Sequence, residues 1–123
     1  MGQTFDDGII KGRLLVLTNA WGAPLVKLGP GLVGEGKLEL NSSTGKKIIS
    51  VGGDDDGNGL LKVNSKEGED RIYLGNAAGD GFLIQGKNKT GETVVQLEAD
   101  DYGNGVVGAY NRKGKGREVK PGP

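Results

Sequence analysis

The residues best placed to do chemistry are Asp54, Asp56 and Asn58, in the run Asp54-Asp55-Asp56-Gly57-Asn58-Gly59. Oxygen-bearing side chains at alternate positions, with a glycine after them, match the opening ligand positions of a calcium loop. Such a loop closes with a bidentate acid at its twelfth position, and here Ser65 stands there. Glu67 or a neighbouring subunit would have to complete the shell. The run from Asp100 to Gly105 keeps Asp100, Asp101 and Asn104 but has Tyr102 in the place of Asp56. Acidic β-turns use the same residue types, because Asp and Asn side chains bond the backbone of their own turn. Both readings stand at this point, and Ca²⁺ is the one cofactor the sequence offers.

Paired carboxylates remain open as acid–base groups, although the acids cluster in turns, where solvated acids are ordinary. The chain has no histidine, which removes the commonest general base and metal ligand, and no cysteine, which removes thiol nucleophiles and disulfides. Serine–histidine–acid and cysteine–histidine sites and zinc centres are thereby excluded. The Gly-Lys of Ser43-Thr44-Gly45-Lys46 lacks the first glycine and the following hydroxyl residue of a phosphate-binding loop. Asn41-Ser42-Ser43 and Asn88-Lys89-Thr90 are glycosylation acceptor triplets of the kind that arise by chance in Asn- and Ser-rich turns. Trp21, Tyr73, Tyr102 and Tyr110 could stack on sugars or pack against strands. An enzyme is not expected.

The elements that carry these residues are repeated. The glycines Gly22, Gly45, Gly68, Gly91 and Gly114 follow each other at steps of 23 residues. Gly29, Gly52 and Gly75 keep the same step, continued by Glu98 and Pro121. Gly12, Gly36, Gly59, Gly81 and Gly105 open the units with a spacing that varies by a residue. Counting from these opening glycines, the first strand of each unit presents Leu14, Leu38, Leu61, Leu83 and Val107, then Val16, Leu40, Val63, Gln85 and Ala109. Counting from the turn glycines, the second strand presents Val26, Ile49, Ile72 and Val95, then Leu28, Val51, Leu74 and Leu97. Apolar and polar residues alternate through these segments, the period of a half-buried strand. No window has sustained helical periodicity.

The expected fold is all-β. Five two-strand repeats would form a β-solenoid, a β-prism or an intertwined β-helix, with hairpin and parallel-coil connections both open. The units run 12–35, 36–58, 59–80, 81–104 and 105–120, after a lead-in over 1–11 and before a tail at 121–123. In the lead-in, Phe5, Ile9 and Ile10 would anchor to the first strand or to another subunit. In the last unit Glu118 and Lys120 fall at core positions, the mark of a polar cap, and Pro121 and Pro123 would block edge pairing.

Only 34% of the residues are hydrophobic, and about two per strand can face inward. A sheet with so thin a core must roll up, stack on itself or pair with another chain. Self-association is therefore expected, with a homotrimer as first choice and Leu15, Trp21, Leu25, Ile49 and Ile72 as interface residues. Sixteen basic and 16 acidic side chains are mixed along the chain, with no basic stripe for nucleic acid and no apolar run long enough to span a membrane. The start MGQTFDDGIIKG does not read as a signal peptide, and the expected location is extracellular or at a cell surface.

The pattern Leu-x-Leu, Asn, Gly-Lys, Val-Gly-x-Asp-x-x-Gly-Asn-Gly is complete in Leu38–Gly59 and varied in the other units, and the chain ends Asn111-Arg112-Lys113-Gly114-Lys115-Gly116-Arg117 with Pro121-Gly122-Pro123. Over residues 5–123 this resembles a family of glycine-rich bacterial repeat proteins of the planctomycete type. It is more loosely similar to the trimeric β-helical shafts of phage and viral fibres. The resemblance implies a repetitive β architecture and brings no activity or catalytic residue. The sequence thus points to a structural, self-assembling protein, a subunit of a fibre, shaft or surface filament. The alternative is a carbohydrate- or calcium-binding module.

Overall fold

The computed structural model describes residues 4–6, 8–77 and 81–122. A short hairpin comes first, β1 (Thr4–Asp6) and β2 (Ile9–Lys11). Ten strands follow: β3 (Leu15–Thr18), β4 (Pro24–Pro30), β5 (Gly36–Asn41), β6 (Lys47–Gly53), β7 (Gly59–Asn64) and β8 (Asp70–Asn76), then β9 (Phe82–Lys87), β10 (Thr93–Ala99), β11 (Gly105–Tyr110) and β12 (Gly116–Val119). There is no helix among the described residues.

The ten strands form one antiparallel sheet in chain order, from β3 at one edge to β12 at the other. Every connection is therefore a hairpin, and the parallel coil is set aside. The two edges do not pair with each other, so the sheet is open. Ten strands at about 4.8 Å spacing make it about 43 Å wide. The expectation that the lead-in anchors to the first strand is corrected: β2 pairs with β1, and β3 is hydrogen-bonded to β4 alone.

Turn chemistry sets the hairpins. In the Ser42–Lys46 turn, Ser42 N–H donates to the Lys46 carbonyl (2.8 Å) and Gly45 N–H donates back to the Ser42 carbonyl (2.9 Å). The same pair of bonds recurs at Asn19, Ser65, Asn88 and Asn111, and at Gly31, Asp54 and Asp100 on the other end of the sheet. The geometry requires a left-handed residue before the returning strand, and Gly45 supplies it at φ 84°. Of the five hairpins that open with β3, β5, β7, β9 and β11, the first four also carry a bulge in the second strand. The unpaired residues are Leu25, Ile48, Arg71 and Val94.

Register then assigns the faces. Directly opposed residues share a face. Leu15, Leu28, Leu38, Val51, Leu61, Leu74, Ile84, Leu97, Val107 and Val119 are linked pair by pair across all ten strands. A second rank on the same face runs Leu17, Val26, Leu40, Ile49, Val63, Ile72, Gly86, Val95, Ala109 and Arg117. The opposite face carries Val16, Lys27, Glu39, Ser50, Lys62, Tyr73, Gln85, Gln96, Gly108 and Glu118 in one row.

Three expected facings are corrected by this register. Leu14 and Val16 are not the apolar positions of the first strand; Leu15 and Leu17 are. Leu83 and Gln85 give way likewise to Ile84 and Gly86, and Gln85 instead donates from Nε2 to Gln96 Oε1 on the polar face, at 2.9 Å. The last hairpin has no bulge, so β12 is set one residue earlier and Arg117 and Val119 take the places expected for Glu118 and Lys120. Pro121 lies beyond the end of β12 and not within it. Pro123 lies outside the described residues.

Candidate functional site

A sheet one layer thick has no interior, so a site among the described residues lies on a face, at a turn or along an edge. Val106, 5% exposed, is the one large apolar residue among those described that is buried, and no side chain among them is fully buried. The apolar ranks are open to solvent across the whole sheet. Leu17 is 51% exposed, Val51 41%, Ile72 43% and Val107 50%. A stripe this long is far from the scattered surface hydrophobes of ordinary soluble domains.

Of the expected interface residues, the register brings Leu15, Ile49 and Ile72 onto this one face. Trp21 lies elsewhere, at the tip of the turn between β3 and β4, where its N–H donates to Asn19 Oδ1 at 3.0 Å. Leu25 is the unpaired residue of the first bulge and is half-buried. The remaining members of the ranks, Val63 and Leu74 among them, are as much part of the face. Their signal is in the sequence, in steps of 23 residues from Leu15 through Leu38, Leu61 and Ile84 to Val107.

The polar face is tied down by charge and amide pairs. Glu39 accepts from Lys37 at 2.9 Å along its own strand and from Lys47 at 3.0 Å across the strand pair. Hydrogen bonding to Lys37, then to Lys47, holds the Glu39 carboxyl below its ordinary value, against a desolvation that pushes it up. At the far edge the Tyr110 hydroxyl donates to Glu118 at 2.7 Å. That bond lowers the Glu118 carboxyl and raises the Tyr110 phenol. A depression of about 400 Å³ lies over Gly52, lined by Lys37, Lys47, Lys62 and Asp70. Glu39 already engages two of those lysines.

The acidic turns have a structural task. Asp54 Oδ1 accepts from the N–H of Asp56 at 3.0 Å and from the N–H of Asn58 at 2.8 Å. Asp100 Oδ1 accepts in the same way from Tyr102 and Asn104. Asn19, Ser65, Asn88 and Asn111, whose side chains are neutral, accept in the same way at four other turns. The three residues that the calcium pattern selected thus sit in one turn, with Asp54 as side-chain acceptor and Asp56 and Asn58 as backbone donors. Among the described residues no group of three or more acids could hold a metal ion. Of the acceptor triplets, Asn41 donates its side-chain amide to the Pro24 carbonyl, and Asn88 Oδ1 accepts from its own turn.

No helix among the described residues is long and apolar enough to cross a membrane. No protein-family model matches the chain, and no curated protein matches it.

Proposed function

We propose that this chain is a non-enzymatic structural subunit that assembles with copies of itself, as part of a fibre, shaft or surface filament. The observation that carries the reading is the pair of apolar ranks running in register from β3 to β11 on one open face, with Gly86 in the second rank as the one position without an apolar side chain. Water on that face is unfavourable by roughly 25 cal/mol for each Å² of apolar surface. The face measures about 43 Å by about 17 Å, some 700 Å² per copy, close to the area one partner contributes to a standard stable interface.

Two such sheets stack face to face at about 10 Å, and three close a prism around a common axis. Either arrangement gives every rank a dry partner, and the trimer expected from the sequence is one of them. Neutral overall charge favours close approach of identical copies.

The double variant Ile49→Asp/Ile72→Asp tests the proposal. It puts two carboxylates into the middle of one rank while leaving the turns and the backbone ladder in place. Sedimentation should show a mass well below the parent's, as the sheets lose their face-to-face packing, with the β-sheet circular dichroism retained. A variant that sediments like the parent would overturn the reading.

A further inference from the structure

Among the described residues the sheet also has two edges without a strand partner, and they match each other. β3 and β12 are both four residues long, where the eight strands between them have six or seven. Eight antiparallel strands separate them, so β3 and β12 run in opposite directions. A second copy displaced along the sheet axis therefore offers its β3 antiparallel to the first copy's β12, which is the alternation the sheet already has.

We infer that copies of this chain add head to tail, β12 of one pairing with β3 of the next, into a continuous ribbon whose strands lie across the growth axis. In the register that keeps the faces aligned, Val119 stands beside Leu15, Glu118 beside Val16, Arg117 beside Leu17 and Gly116 beside Thr18. Val119 then carries the first apolar rank into the neighbour without a break. Arg117 lays its aliphatic stem along Leu17 and carries its charge outward. On the polar face the row that ends at Glu118 meets the row in which Lys27 is paired with Val16.

Natural edge strands are guarded by charges, prolines or bulges. β3 reads Leu-Val-Leu-Thr and has none of these. Leu15, Val16 and Leu17 are 43%, 39% and 51% exposed. A contact of this kind is heterologous, and a displacement along the sheet axis does not close on itself, so it grows without limit. The inference rests on the reading of the chain as a self-assembling subunit, but it uses a different surface from the apolar face.

The absence of cysteine makes the test direct. Val16→Cys/Glu118→Cys places the two thiols opposite each other across the new strand pair, at a Cα separation a disulfide accepts. Within one molecule the same thiols are about 43 Å apart. Mild oxidation should give a ladder of dimers, trimers and higher multimers on a non-reducing gel, collapsing on reduction. Leu17→Cys/Glu118→Cys, whose thiols lie on opposite faces, should cross-link at least about tenfold more slowly. An equal ladder in both pairs, or no ladder, overturns the inference. A disulfide-linked monomer overturns it too, by showing that the sheet closes on itself. Adding Ile49→Asp/Ile72→Asp separates the two surfaces. A ladder that persists belongs to the edges, whatever becomes of face packing, and a ladder lost with the face variants overturns the edge pairing.

Discussion

The ammonium of Lys47 lies 3.0 Å from the carboxylate of Glu39, reaching across the β5–β6 pair on the polar face. Lys37 completes a three-membered cluster from the other side at 2.9 Å. Hydrogen bonding to Lys37 first, and to Lys47, lowers the Glu39 carboxyl from its ordinary value of 4.5. A carboxyl lowered by folding contributes stability above the unfolded value and loses it as pH falls through the folded value. The urea midpoint should therefore drop as the solution is taken below about pH 4.5. Glu118, lowered by Tyr110 and Lys120, adds to the same slope. Glu39→Gln should make the drop shallower, and a parallel curve for this variant would contradict the role given to the cluster.

Gly57 and Gly59 stand two residues apart and should respond differently to the same change. Gly57 has φ 87° in the turn between β6 and β7, while Gly59 is in extended backbone with open space where a Cβ would go. Gly57→Ala forces a side chain into the left-handed region and should destabilise the sheet by about 1–2 kcal/mol. Gly59→Ala should be close to neutral or slightly stabilising. Thermal melts of the two variants side by side check the turn geometry.

Asp54 acts as an acceptor for two backbone N–H groups, and that task does not need its charge. Asp54→Asn should keep the turn. Asp54→Ala should cost about 1–2 kcal/mol, the range for losing such hydrogen bonds. Neither loss should depend on Ca²⁺. A melting temperature that rises with Ca²⁺ in the parent and not in Asp54→Ala would favour the calcium reading of Asp54, Asp56 and Asn58.

The all-β fold and its turns were legible because period-two alternation and the Asn, Ser and Gly of the turns report local backbone geometry. The facing of three strands was not. A slip of one residue turns every side chain of a strand to the other face. Gly12 stands three residues before Leu15 and Gly81 three before Ile84, whereas Gly36 stands two before Leu38. Counting from the opening glycine thus selected Leu14 and Leu83, while the register holds the 23-residue step from Leu15 to Ile84. In β12 the missing bulge made the same difference, and a bulge leaves no mark in composition.

Two other features depended on more than local sequence. Asn41 and Asn64 looked like turn residues, yet their amides reach back to the carbonyls of Pro24 and Lys47 on the preceding strand. Gly29, Gly52 and Gly75, known from the sequence only by their 23-residue step, lie inside strands, Gly75 beneath the ring of Tyr73. Strand direction was equally hidden, since a hairpin and a parallel coil bury the same alternate residues.

The central claim is that the open apolar face is covered by another copy of the chain. Light scattering on the unmodified protein, over a concentration series with and without EDTA, measures this most directly. The account predicts a mass of twice or three times the 12.8 kDa chain, or a filament, unchanged by EDTA. A monomer of 12.8 kDa that stays folded at every concentration would contradict it.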